Sequence, residues 1–221
     1  MAGLTDQQYL VQRAREVRDK DPYQSKAWMQ TANSLFPDTF SIQFESYTTE
    51  REAGNIKESA RCFQKLLKKF PNEETLWREI HVMTSALKTQ NKFQGGSGNE
   101  REEFLMKMYK ELSESSQQRI LIQAAERSED TMKKCNLYLI LMKKFPALIP
   151  TYGENLIKSL MLAEKAQGGT ESPLNPYRRV LIAEVLPLVL GIEKGGGDRS
   201  GVLLPPALLH SLLFSSLGGV Q

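Results

Sequence analysis

Three times this chain ends an apolar, helix-forming run on Phe-Pro: SKAWMQTANSLFP at 25–37, SARCFQKLLKKFP at 59–71 and KCNLYLILMKKFP at 134–146. Proline has no N–H for the helix ladder, and it drives the residue before it out of the α region. Each Phe-Pro therefore fixes a helix end at a set distance from the apolar residues upstream. Met29, Phe63 and Tyr138 stand eight residues before the three prolines, and Ala32, Leu66 and Leu141 stand five before. An aromatic follows each proline within six or seven residues: Phe44, Trp77 and Tyr152. The first two prolines lie 34 residues apart and the second and third 75 apart, close to two repeats with a looped insertion.

A period near 34 with aromatics, small residues and a closing proline is the rhythm of tetratricopeptide helix pairs. A lone amphipathic hairpin cannot cover its own apolar stripe, so neighbours must stack on it. The predicted fold is all-α: a right-handed α-solenoid of stacked antiparallel helix pairs, tetratricopeptide- or HAT-like, forming one helical-repeat domain over residues 1–221. A generic helical bundle is the competing arrangement. FESYTTEREAGNIKESARCFQKLL resembles the half-a-tetratricopeptide (HAT) variant, with Phe44, Tyr47, a Glu at 50 or 52, Gly54, Ala60-Arg61 and Phe63. Lys68-Lys69 and Lys143-Lys144 fall in last helical turns, where they complement the negative end of the helix dipole.

Other local signals agree. Thr5 and Gln8 form a capping box, with Leu10, Ala14 and Val17 on one face of the helix that follows. Asp21-Pro22 reads as N-cap and N1 of a helix running to Phe36, with Trp28, Ala32 and Leu35 inward. Helices are predicted at about 39–53 (Phe40, Phe44, Tyr47), 56–70 (capped by Asn55; Phe63, Leu66, Leu67, Phe70 inward) and 73–92 (Leu76, Trp77, Ile80, Met83, Leu87). Further along come one with Phe104, Leu105, Met108 and Leu112, one after Ser115 with Ile120, Leu121 and Ala124, and two at 130–145 and 150–166. Another opens at Asn175-Pro176, where Pro187 should kink or end it, and a last follows Pro205-Pro206. Glycine-rich loops are expected near 94–99, 166–175 and 191–202. No strand alternation persists anywhere.

Composition excludes several classes. With 221 residues, 40% hydrophobic and 25% charged, the chain is globular. Its net charge of +3 sets no electrostatic requirement for nucleic acid or acidic membranes. Cys62 and Cys135 sit inside helical patterns and read as free thiols of a reducing compartment. MAGLTDQQ has no signal-peptide character. The uncharged stretch 201–221 is interrupted by prolines, His210 and serines, and reads as an amphipathic helix missing its neighbour, not as a membrane span.

No reactive constellation is visible. His81 and His210 have no ligand partner at helical spacing, and HExxH, paired CxxC and GxSxG are absent. Gly195-Gly196-Gly197 follows no strand and precedes no Gly-Lys-Ser/Thr. Glu73-Glu74 and Glu102-Glu103 suit helix N-termini better than acid–base chemistry. The reading is a protein that is no enzyme: catalytic, cofactor and metal residues none, partner-binding residues unassigned. Basic clusters at Arg13, Arg15, Arg18 and Lys20, at Lys65, Lys68 and Lys69, at Lys143-Lys144 and at Arg178-Arg179 are interspersed with acids. They leave auxiliary RNA or DNA contact as the alternative to a protein-interaction role.

YLVQRAREV at 9–17, KAWMQTANSLFPDTFSIQFESYTTER at 26–51, the FP, LWREI and TSAL blocks through 87, and ESPLNPYRRVLIAEVLPLVL at 171–190 resemble, in order and spacing, the N-terminal region of the Integrator subunit 10 family. LLPPALLHSLL at 203–213 continues the likeness more loosely, and LLFSSLGGVQ departs from it. The resemblance implies a nuclear, non-catalytic helical scaffold of an auxiliary Integrator module. That assembly works with RNA polymerase II in transcription termination and small nuclear RNA 3′-end processing. The implied neighbours are Integrator subunits 13, 14 and 15, with no membrane and no cofactor.

Overall fold

The structure, a computed structural model, describes residues 4–92, 99–167 and 175–191, and every element in them is helical. Helices α1 (Asp6–Val17), α2 (Pro22–Leu35), α3 (Phe40–Glu52), α4 (Ile56–Lys69), α5 (Glu74–Lys92) and α6 (Glu100–Glu111) are followed by α7 (Glu114–Glu126) and α8 (Thr131–Lys144). A 3₁₀ turn (Pro146–Leu148) leads into α9 (Ile149–Ala166). Next come α10 (Pro176–Val180), a π turn (Leu181–Val185) and α11 (Leu186–Val189). Most of the loops expected near 94–99, 166–175 and 191–202, and the helix after Pro205-Pro206, lie outside the described residues, while Ala166 still belongs to α9.

The helix starts are local chemistry. Thr5 Oγ1 accepts the Gln8 N–H at 3.3 Å, and Gln8 Oε1 accepts the Thr5 N–H at 3.1 Å, the reciprocal box that satisfies two orphan donors. Asp21 accepts from the Gln24 N–H and Asp130 from the Lys133 N–H, both at 3.0 Å. Asn55 departs from expectation. Its side chain caps nothing and donates instead to Glu50 at 2.7 Å, while Gly54 makes the turn at φ +72°. That dihedral suits a residue without Cβ.

All three Phe-Pro stops adopt one backbone shape. Phe36, Phe70 and Phe145 have φ/ψ of −131°/61°, −129°/57° and −128°/76°. Their N–H groups donate to the carbonyls of Ala32, Leu66 and Leu141 at 2.9, 2.8 and 2.8 Å. These acceptors are the residues five before the prolines, and they are 0%, 1% and 0% exposed. The stop and the core register are thus one device: the last main-chain bond of the helix closes on its innermost residue. The device is followed differently the third time. After Pro37 and Pro71 the next helix begins at Phe40 and Glu74, whereas the 3₁₀ turn intervenes after Pro146.

The chain divides into two compact units, Met1–Gln117 and Gln118–Gln221. In the first, α1 packs on α2, α3 on α4, and α6 on both α4 and α5. Leu10 and Ala14 of α1 meet Met29 and Ala32 of α2 and Ile42 of α3, with Val11, Trp28 and Phe36 half-buried around them. Burying Leu10, Met29 and Ile42 stabilises by roughly 1.5–3 kcal/mol each, and the two alanines contribute less. A run of aromatic contacts links the next helices: Phe40 to Phe70 at 5.5 Å, Phe44 to Tyr47 at 5.6 Å and Tyr47 to Phe63 at 5.3 Å between ring centroids.

In the second unit, Cys135, Leu139 and Met142 of α8 meet Leu156, Ile157 and Leu160 of α9 and Val185 and Val189 near the chain's last described turns. Tyr138 stacks on Tyr152 at 5.4 Å, joining the residue eight before the third proline to the aromatic six after it. The helix ends at Val189, two residues after Pro187, as expected. The π turn widens the ladder just before the proline, and the Leu186 N–H reaches back to Leu181. Inserting one residue into the ladder absorbs the site where proline withholds a donor.

Several inward assignments shift. Leu35 is 62% exposed, and Ser25 and Met29 take the buried face of α2 instead. Ala125, not Ala124, is the buried alanine of α7. Ile42 is fully buried between half-buried Phe40 and Phe44. Trp77 is half-buried, and its indole donates to the Pro71 carbonyl at 2.7 Å, tying the start of α5 to the stop before it.

Candidate functional site

A groove of about 950 Å³ runs through the first unit. One wall is a single face of α2: Lys26, Met29, Gln30, Asn33 and Ser34, at helical i, i+3, i+4 spacing. The opposite wall is Glu58, Cys62, Lys65, Lys68 and Lys69 of α4, and the floor is Gln43, Ser46, Thr49 and Glu50 of α3. Three helices thus present one polar face each to a common trough. Both ends are tied. At one, Lys69 donates to the Pro37 carbonyl at 3.0 Å and to Asp38 at 2.9 Å. At the other, Glu50 accepts from Lys26 at 3.0 Å and from Asn55 at 2.7 Å.

Behind the floor, α3 is held by buried carboxylates. Glu45 accepts from Arg15 at 2.7 and 2.6 Å and from Arg18 at 2.9 Å. Glu79, on α5, accepts from Arg51 at 2.8 Å, Arg101 at 2.7 Å and the Tyr47 hydroxyl at 3.3 Å. Glu45 and Glu79 are 34 residues apart, each eight after a Phe-Pro proline, so the clamp recurs with the repeat. Burial alone would raise the Glu45 carboxyl, but hydrogen bonds and charge from Arg15 and Arg18 outweigh it and hold it below the usual carboxylate range. Burial raises the Tyr47 phenol, and the Glu79 charge pushes the same way. In the second unit Arg178 bonds buried Glu164 in the same manner. Sequence reading missed these clamps. Their one signal was the shared offset of Glu45 and Glu79 from the prolines.

The basic clusters are largely paired with acids. Arg13 meets Glu16 at 2.8 Å, Arg18 also meets Glu52, and Lys143 meets Glu184 at 2.8 Å. Lys65 and Lys68 form no ion pair among the described residues. His81 is exposed, and His210 and Gly195–Gly197 lie outside the described residues. Of the adjacent carboxylates, Glu74 pairs with Arg78 and Glu103 with Lys107 along their own helices. Cys62 is half-buried and Cys135 buried, both unpaired with each other. Burial pushes each thiol up to about 11. Among the described residues no three His, Cys, Asp or Glu side chains gather as a metal site, and no helix is long and apolar enough to cross a membrane.

These features define an all-α protein whose first unit carries a polar groove beside charge-clamped helices. A family model described as Integrator subunit 10 matches residues 1–214. The chain is 33% identical over 213 residues to Integrator complex subunit 10 of Gallus gallus and of Homo sapiens, covering 96% of this chain and 28% of each relative. It is 35% identical over 182 residues to Integrator complex subunit 10 of Drosophila melanogaster, covering 82% of this chain and 27% of the relative. The chain belongs to the Integrator subunit 10 family, and it spans little more than a quarter of the length of these relatives.

Proposed function

We infer that this chain is a non-catalytic scaffold of the nuclear Integrator complex. In this reading residues 1–221 act as one right-handed, tetratricopeptide-like α-solenoid domain. It docks other Integrator subunits, with subunits 13, 14 and 15 the neighbours, in a module serving RNA polymerase II termination and small nuclear RNA 3′-end processing. The match over residues 1–214 to the subunit family carries the reading. The repeated helix stops and the repeated Glu45 and Glu79 clamps support it, because stacked hairpins need recurrent fastenings. The pairing of Arg13, Arg15, Arg18, Lys69, Lys143 and Arg178 with acids weighs against the nucleic-acid alternative.

The test is capture of purified Integrator subunits 13, 14 and 15, one at a time, by the 221-residue chain. Saturable binding of at least one is expected. Failure with all three, alongside micromolar RNA or DNA binding that falls steeply with salt, would defeat the scaffold reading.

A further inference from the structure

We propose that the groove between α2 and α4 receives an acidic segment of a partner protein. This rests on the scaffold reading above and assigns its site and the chemistry of its ligand.

Charge selects the ligand. Four lysines line the trough against two carboxylates, Glu50 and Glu58. Both acids are already engaged, Glu50 by Lys26 and Asn55, and Glu58 by Arg61 at 2.9 Å. Lys65 and Lys68 remain exposed on the α4 wall without an ion pair among the described residues. An entering carboxylate meets two uncommitted ammonium groups on neighbouring turns. The end ties at Lys69 and Lys26 keep the walls in place beforehand, so little ordering cost falls on binding.

The uncharged polar groups of the trough are largely spent within the protein. Ser34 and Thr49 spend their hydroxyl donors on the helix carbonyls of Gln30 and Glu45. Asn33 donates to Ser46 at 2.6 Å, but its buried Oδ1 accepts nothing from the protein. That oxygen is closed off from solvent, so the open chemistry of the groove is its lysine ammonium groups. Among the described residues no Phe, Tyr or Trp lines the groove, so bases would find no stacking platform there. Glu50 and Glu58 would also oppose a phosphate backbone.

Fluorescence anisotropy on the 221-residue chain tests this. The probes are a fluorescein-labelled peptide of Glu, Asp, Gly and Ser, its counterpart with Lys replacing the acids, and a single-stranded RNA of equal charge. The acidic peptide should bind at micromolar strength and the lysine peptide should not. K65E/K68E should weaken binding at least tenfold with an unchanged circular dichroism spectrum, since both lysines are exposed.

Absence of acidic-peptide binding, or indifference to K65E/K68E, overturns the proposal. Preference for the RNA overturns it in favour of nucleic acid. Self-association of the chain that K65E/K68E abolishes assigns the groove to a second copy and also overturns it. Subunit capture by the same wild-type chain is read separately. Capture that persists without peptide binding defeats the groove alone, while failed capture of all three subunits together with salt-sensitive RNA or DNA binding defeats the scaffold reading itself.

Discussion

Replacing Glu79 by alanine removes one carboxylate that three helices share. Its side chain is 6% exposed, that of Arg51 is 21% exposed and that of Arg101 49%. The three bonds are unequal. Breaking a buried pair costs roughly 3–5 kcal/mol, because a charge is left without its partner. The Arg101 half faces water and contributes at most about 1 kcal/mol. Arg51 keeps partial hydration and lies 5.5 Å from the centroid of the Tyr47 ring, which softens its isolation. Tyr47, fully buried, loses the acceptor for its hydroxyl. The net expectation is about 2–4 kcal/mol. Glu74→Ala is the matched control: its pair with Arg78 is 81% and 72% exposed, and its loss should stay within about 0.5 kcal/mol. Urea unfolding followed by far-UV circular dichroism reads both. A second arm replaces the pair together. Glu79→Leu with Arg51→Leu should recover part of the loss, since apolar groups of similar volume need no countercharge. Equal midpoints for Glu79→Ala and Glu74→Ala would refute the claim that this carboxylate fastens α3, α5 and α6.

Three further outcomes follow from the same contacts. Glu45 is held below the ordinary carboxylate range when folded, so its stabilisation is complete above that range and is lost as pH falls through the depressed folded value. Glu45→Gln should therefore flatten the acid limb of a urea-midpoint-against-pH curve and lower the plateau at neutral pH; an unchanged acid limb would contradict the clamp. With thiols at about 11, roughly one in a thousand of Cys62 and Cys135 is thiolate at pH 8, and both should react with a disulfide reagent far more slowly when folded than in urea. Ala32→Leu should destabilise by about 1–3 kcal/mol through overpacking at the first Phe-Pro stop, whereas Leu35→Ala, on the exposed side, should change thermal stability by less than about 0.5 kcal/mol. Parity between those two would mean the stop does not set the core register.

The groove was only half legible. Lys26, Gln30 and Asn33 could be read as one face of α2 from their spacing, and Lys65 with Lys69 as one face of α4. Nothing in either segment says that the two faces line one trough. The lysines at the helix ends looked like dipole partners, and Lys69 proves to reach across to the Pro37 carbonyl and Asp38. Leu35 misled because helical periodicity alone cannot resolve a small rotation about the helix axis, and Ser25 and Met29 occupy the neighbouring stripe on the other side of Ala32. Trp77 misled because its size suggested the core, while its indole N–H needed an acceptor and found one at the chain surface.

By itself the order of residues determined where helices begin and stop. Capping boxes, Asn-Pro and Asp-Pro starts and Phe-Pro ends act over three or four positions, through bonds a short segment completes alone. It also determined the family, through blocks spread along residues 1–214. Only the tertiary structure decided which acids are buried and which cations are spoken for. Glu45 finds Arg15 thirty positions away, Glu79 finds Arg51 twenty-eight away, and the walls of the groove meet across an intervening helix. Such pairings depend on how one helix is rotated against the next, and that rotation is settled by packing volume that no local pattern records.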